Sequence, residues 1–257
     1  MSELENTKTT TQVTWGPLAA ILVTLGIFFG GQLLGGLVIS VWPMLLGWSN
    51  PRIPEWFSNS TVGQFLLIAT IQLVTFFLLY WFIRYRRATL QAIGLIKRRM
   101  RDVGYALAGF AAYLPAYILT VVVLTRLIPS LNVDQPQQIG FQGATTGPEL
   151  LLVFFALVVL PPLIEEMLAR GFLFSGLKTK LPLMAAALLT SVVFAAPHLQ
   201  IGSGEPLLWV AFIDTFILSM VLVYLRIKSG GLWASIGLHA IKNGIAFVAL
   251  FILRVAS

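Results

Sequence analysis

The chain has 257 residues, 58% of them hydrophobic and only 11% charged, with a mean hydropathy of +0.88. That balance excludes a soluble globular domain and predicts an all-α, polytopic bundle of transmembrane helices. A net charge of +7 points to positive-inside topology rather than to nucleic acid, because the basic residues lie in loops between apolar stretches. The absence of cysteine excludes thiolate metal sites, thiol nucleophiles and disulfides.

Met1 to Thr14 is polar and carries both signs of charge. It lacks the basic-then-apolar order of a cleaved signal peptide, so residues 1–14 are expected to form a disordered cytoplasmic tail. Residues 15–257 are expected to form one transmembrane domain. The first span, Pro17 to Leu46, contains Gly26, Gly30, Gly31, Gly35 and Gly36, a pattern that permits close helix contact. Trp42, Trp48 and Trp56 flank a loop with Pro51 and Pro54 and suit an interfacial aromatic belt. The second span, Val62 to Ile83, runs into Arg84, Arg86, Arg87, Lys97, Arg98, Arg99 and Arg101, the strongest basic cluster in the chain. The third covers Val103 to Ile128. The polar connection Pro129 to Gly147 is long enough to be a mobile lid or a plain linker. A fourth span from Pro148 ends at Lys178 and Lys180; a fifth covers Leu181 to His198, a sixth Pro206 to Leu225, and the last Leu232 to Leu253. Seven spans with the N-terminus inside put every basic cluster, Lys8 and Arg226 with Lys228 included, on one side. Eight result if one segment breaks into two short helices.

Three polar islands interrupt the last part of this pattern. The first is Pro161-Pro162-Leu163-Ile164-Glu165-Glu166, followed by Arg170. Ionisable groups at membrane depth are costly and mark function. Glu166 and Arg170 are four residues apart and can pair, whereas Glu165 points about 100° away and lacks a local partner. Glu166 therefore reads as structural and Glu165 as available for chemistry. The two prolines lack amide donors and free the carbonyls one turn earlier. The second island is Phe194-Ala195-Ala196-Pro197-His198, and the third is His239-Ala240-Ile241-Lys242-Asn243, with His239 and Asn243 on one helical face. Separately, His198 reads as an interfacial residue and His239 with Asn243 as interhelical glue. Together they hold the only two histidines in the chain, both in the last three spans beside Glu165.

Glutamate or histidine can take a proton from water, and histidine or asparagine can donate to a developing oxyanion. Two His and one Glu also match the ligand composition of a catalytic zinc site with one open position, although no HExxH arrangement is present. Spacing leaves both chemistries open.

The motifs Glu165-Glu166-x-x-x-Arg170, Phe194-x-x-x-His198 and His239-x-x-x-Asn243, in that order, resemble the CPBP intramembrane proteases, which include type II CAAX prenyl endopeptidases and bacterial Abi proteins. The resemblance covers a core from about residue 150 to 257 and leaves the first three spans unmatched. It implies an endopeptidase in which Glu165, helped by His198, activates water while His239 and Asn243 stabilise the oxyanion. Glu166 and Arg170, with Phe194, would support the site. Metal-free chemistry is expected, because the chain offers an oxyanion donor pair but no third histidine; a single zinc ion is the alternative. The implied substrate is a membrane-embedded or lipidated protein or peptide, in a bacterial or archaeal cell membrane, with no nucleic-acid partner. Two other classes are open: a proton-coupled transporter using Glu165 and Asp214, and a non-catalytic membrane scaffold or immunity protein.

Overall fold

The computed structural model describes residues 9–135, 139–201 and 206–255. Among the described residues six helices are long and apolar enough to cross a membrane: α1 (Pro17–Leu45), α3 (Thr61–Tyr85), α4 (Met100–Leu127), α5 (Gly147–Leu177), α7 (Trp209–Ser229) and α8 (Trp233–Ile252). The shorter apolar α6 (Leu183–Leu199) stands where a seventh span is expected. The bundle is thus an integral, multi-pass membrane structure. A short helix, α2 (Arg52–Asn59), replaces the expected loop between the first two spans, with Trp48 and Trp56 packed edge to face across it.

α5 and α7 are the most buried of these helices, 39% of the apolar stretch of each against 11% for α4. The C-terminal half of α5, from Ile164 to Leu177, joins α1, α3, α6 and α7 in the largest core cluster. α1 and α3 pair through glycine. A Cβ on Gly35 would meet Ile71 Cα at 2.7 Å, so only glycine lets the two backbones approach this closely. Gly26 and Gly36 face open space, so the glycine pattern is selective rather than uniform. On the other side α4, α7 and α8 form a second core around Tyr113, Leu222 and Leu238.

α5 is not a regular helix. Two π-helical stretches, Phe155–Val159 and Met167–Leu173, flank the α-helical Leu160–Glu166. The first stretch directly precedes Pro161 and Pro162, which cannot donate to the ladder behind them. π-turns of this kind recur at functional sites.

Three stretches differ from expectation. Residues 9–14 of the polar start are ordered against the loop after α3: Thr10 N–H donates to Arg87 O at 2.9 Å, Thr89 N–H to Thr10 O at 3.0 Å and Thr14 Oγ1 to Arg86 O at 2.9 Å. Residues 1–8 of that tail, Lys8 among them, lie outside the described residues. The basic loop after α3 is also more than a charged connection. Ala88, Ala92 and Ile93 are buried in the main core, Leu232 N–H donates to Gly94 O at 3.0 Å and Trp233 Nε1–H to Ile96 O at 2.6 Å. These bonds put the α3–α4 and α7–α8 connections at the same end of the bundle. The long polar connection before α5 is docked where it is described. Phe141 is buried against Val153, Ala156 and Phe65, and its N–H donates to Gln64 Oε1 at 2.6 Å. Residues 136–138 of that connection lie outside the description. Its last residue, Thr146, caps α5 in a reciprocal pair with Glu149.

Candidate active site

α5, α6 and α8 bring the three islands together. Glu166 Oε1 accepts from Arg170 Nη1 at 2.8 Å, as their spacing predicts, and both side chains are fully buried. The same Oε1 lies 2.9 Å from His239 Nδ1 on α8. An ionised carboxylate only accepts, so the shared proton sits on Nδ1 and the ring is held with Nε2 turned outward. Nε2 then faces Glu165 Oε2 at 4.0 Å. That gap exceeds a direct hydrogen bond and has the span that one water can bridge.

Phe194 on α6 covers the pair from the other side. Arg170 Cζ stands 4.0 Å above its ring, a cation–π contact, and the ring also meets His198 and His239, each at 5.9 Å between centroids. Glu166 Oε2 and Arg170 Nε and Nη2 have no hydrogen-bond partner among the described residues. The aromatic face therefore carries part of the guanidinium's stabilisation.

Glu165 stands apart from this sealed group: its side chain is 36% exposed. It lines a cavity of about 500 Å³ together with His198, Phe194 and Gln200 on one side and Thr24, Phe28 and Phe29 of α1 on another. The cavity is otherwise apolar, with Leu168 and Leu173 of α5 and Val193 of α6 in its wall. α1 contributes nothing recognisable to the sequence motifs, yet it forms this wall.

Asn243 takes a position that spacing does not predict. Its Nδ2 donates to Leu157 O at 2.9 Å, in the first π-helical stretch of α5. Asp214 and Lys242 form a separate cluster: Lys242 Nζ lies 3.0 Å from Asp214 Oδ2, and Tyr113 of α4 donates its hydroxyl to Asp214 Oδ1. Asp214 is thus tied to α4 and α8. Tyr113 escaped the sequence reading, since a tyrosine in an apolar helix carries no signal of its partner.

Zinc chemistry needs three convergent ligands. Among the described residues no group of three His, Asp or Glu side chains is placed to hold a metal ion. His239 Nδ1 is engaged with Glu166, and this contact leaves Nε2 turned toward Glu165.

A family model described as type II CAAX prenyl endopeptidase Rce1-like matches residues 147–245. Among curated proteins, an Escherichia coli protein described as "Uncharacterized 24.3 kDa protein" is similar, 29% identical over 173 residues that cover 65% of this chain and 72% of the relative. No solved structure matches the chain. The matched stretch runs from the start of α5 into α8 and contains all three islands, as their resemblance implied. Residues 147–245, which carry all three islands, are thus similar to the type II CAAX prenyl endopeptidase Rce1-like family.

Proposed function

We propose that the protein is an intramembrane endopeptidase that hydrolyses a peptide bond in a membrane-embedded or lipidated protein or peptide. The family match supports a CAAX-type intramembrane protease. The observation that carries the reading is the division of labour between adjacent acids: Glu166 is fully buried and bonded twice, while Glu165 is 36% exposed in a cavity shared with His198.

In this mechanism Glu165 takes a proton from water, with His198 sharing that water across the cavity. The hydroxide adds to the scissile carbonyl. His239, fixed by Glu166 through Nδ1, presents Nε2–H to the developing oxyanion when its ring is protonated, and Asn243 has a second Nδ2 hydrogen for the same purpose. The proton on Glu165 then passes to the leaving amine. Arg170 and Phe194 hold Glu166 and the imidazole in place. No step requires a metal ion. Residues 15–257 act as a single transmembrane unit with the catalytic core from about 150 onward.

The direct test compares the membrane proteomes of cells carrying the wild-type protein or Glu165→Ala. One species should persist uncleaved in the variant; identical proteomes would favour a scaffold, and a Glu165-dependent ion flux would favour a transporter.

The basic clusters Arg84 to Arg101, Lys178 with Lys180, and Arg226 with Lys228 support a cytoplasmic position for their end of the bundle. The N-terminus then lies on the same side and the C-terminus opposite. Reporter fusions after Arg99 and at the C-terminus should report different compartments; the same compartment would mean that α8 does not cross, because the α3–α4 and α7–α8 connections lie at one end.

A further inference from the structure

The first π-helical stretch of α5 has a backbone deficit at one atom. Leu157 O would receive residue 161 N–H in an α-helix and residue 162 N–H in a π-helix. Both residues are proline, so neither ladder supplies a donor. A carbonyl without a partner costs free energy at membrane depth, where no bulk solvent replaces it. Asn243 of α8 fills this vacancy from outside the helix, with Nδ2 at 2.9 Å from Leu157 O.

One turn earlier on the same helix, His239 reaches the other end of the same segment through Glu166 Oε1 at 2.9 Å. The two contacts grip α5 at Leu157 and at Glu166, and Glu165 lies between them. We propose that Asn243 is a positioning residue: with His239 it makes α8 a splint across the Pro161–Pro162 break, and this splint sets the direction in which Glu165 faces the cavity. The inference stands on the backbone geometry alone, and it rests on the protease reading only where turnover is measured. It adds to any donation by Asn243 to substrate, since a primary amide carries two hydrogens and Leu157 O uses one.

The inference predicts that an amide restored at position 161 makes Asn243 less necessary. Four proteins in detergent decide this: wild type, Asn243→Ala, Pro161→Ala and the double variant. Asn243→Ala should lower the melting temperature by roughly 3 °C or more for a chain of this size. In the Pro161→Ala background the same substitution should lower it by less than half as much. Equal losses in both backgrounds, or no loss in the first, would overturn the splint. If Pro161→Ala does not fold, Pro162→Ala replaces it in the same cycle.

Hydrogen exchange of residues 155–166 gives a second readout. Asn243→Ala should speed exchange there, Asn243→Gln should restore part of the protection, and Asn243→Asp should not, because an ionised carboxylate cannot donate to a carbonyl. Equal behaviour of Gln and Asp would count against the proposal. Turnover of a fluorogenic prenylated peptide ending in a CAAX sequence separates positioning from substrate contact. Positioning predicts that the loss caused by Asn243→Ala shrinks at least tenfold in the Pro161→Ala background; an undiminished loss would show that Asn243 acts on the substrate and not through α5. If wild type leaves that peptide intact, the substrate reading fails while the melting cycle still decides the splint.

Discussion

Two acid–base clusters lie inside this bundle, and they are built in opposite ways. Glu166 and Arg170 belong to one helix and are both 0% exposed. Asp214 and Lys242 belong to different helices and are 14% and 29% exposed. The first pair closes on itself within α5, and its tie to the rest of the bundle comes from His239 and from the face of Phe194. The second pair is itself the tie, joining α7 to α8, with Tyr113 adding α4. A sealed pair supplies a fixed charge environment for its neighbour, here the exposed Glu165. A partly open pair between helices supplies a crosslink. Burial rather than proximity separates the two roles, because the ion-pair distances, 2.8 and 3.0 Å, are almost equal.

The largest expected effect comes from the acid that belongs to neither pair. Glu165→Gln keeps shape and volume but removes the proton acceptor, so turnover should fall by about 10²–10⁴ while the melting temperature stays near wild type. Full turnover by purified Glu165→Gln would move the chemistry elsewhere in the cavity.

The sealed pair should respond in the opposite sense, through stability. Glu166→Gln leaves Arg170 charged and fully buried, with an amide oxygen and the face of Phe194 in place of its counter-charge. Losing one partner of a buried pair costs about 3–5 kcal/mol. It also removes the carboxylate that fixes the His239 ring, so turnover should fall together with stability. Thermal or denaturant unfolding of the purified variant checks the first part. A cost below about 1 kcal/mol, the range of an exposed pair, would mean that Arg170 finds another partner.

These contrasts were only partly readable in the sequence. The acids, histidines and prolines of α5, α6 and α8 were legible because ionisable groups and helix breakers are rare inside apolar spans, so each stands out where it occurs. The Glu166–Arg170 pair followed from helical spacing, which a local contact obeys. Asn243 did not follow the same logic: its partner is a backbone carbonyl, and only the absence of amides at Pro161 and Pro162 points to it. The α1 wall of the cavity was illegible, because Leu25 and Phe28 look the same in sequence whether they face lipid or a binding site. Likewise Ala92 and Ile93 were hidden among arginines and lysines whose charge suggests a solvated loop, although they are buried in the main core.

The crosslinking pair offers the smallest effect and the sharpest comparison. Asp214→Asn removes one charge but leaves Lys242 29% exposed, with a long stem that can carry its ammonium toward a more polar environment. Tyr113 can still donate to the asparagine carbonyl. The expected loss is therefore that of a charged hydrogen bond, about 1.5–3 kcal/mol, below the loss for Glu166→Gln. Replacing both partners, as Asp214→Asn with Lys242→Met, removes the uncompensated charge and should bring the total cost to about 1 kcal/mol or less, since an apolar replacement of a buried pair is often neutral. The four unfolding free energies then close a double-mutant cycle, whose coupling term measures the crosslink directly. A coupling near zero would make the contact incidental. If the double variant were instead as unstable as Glu166→Gln, the pair between helices would be as sealed in function as the one on α5, and burial would no longer distinguish the two clusters.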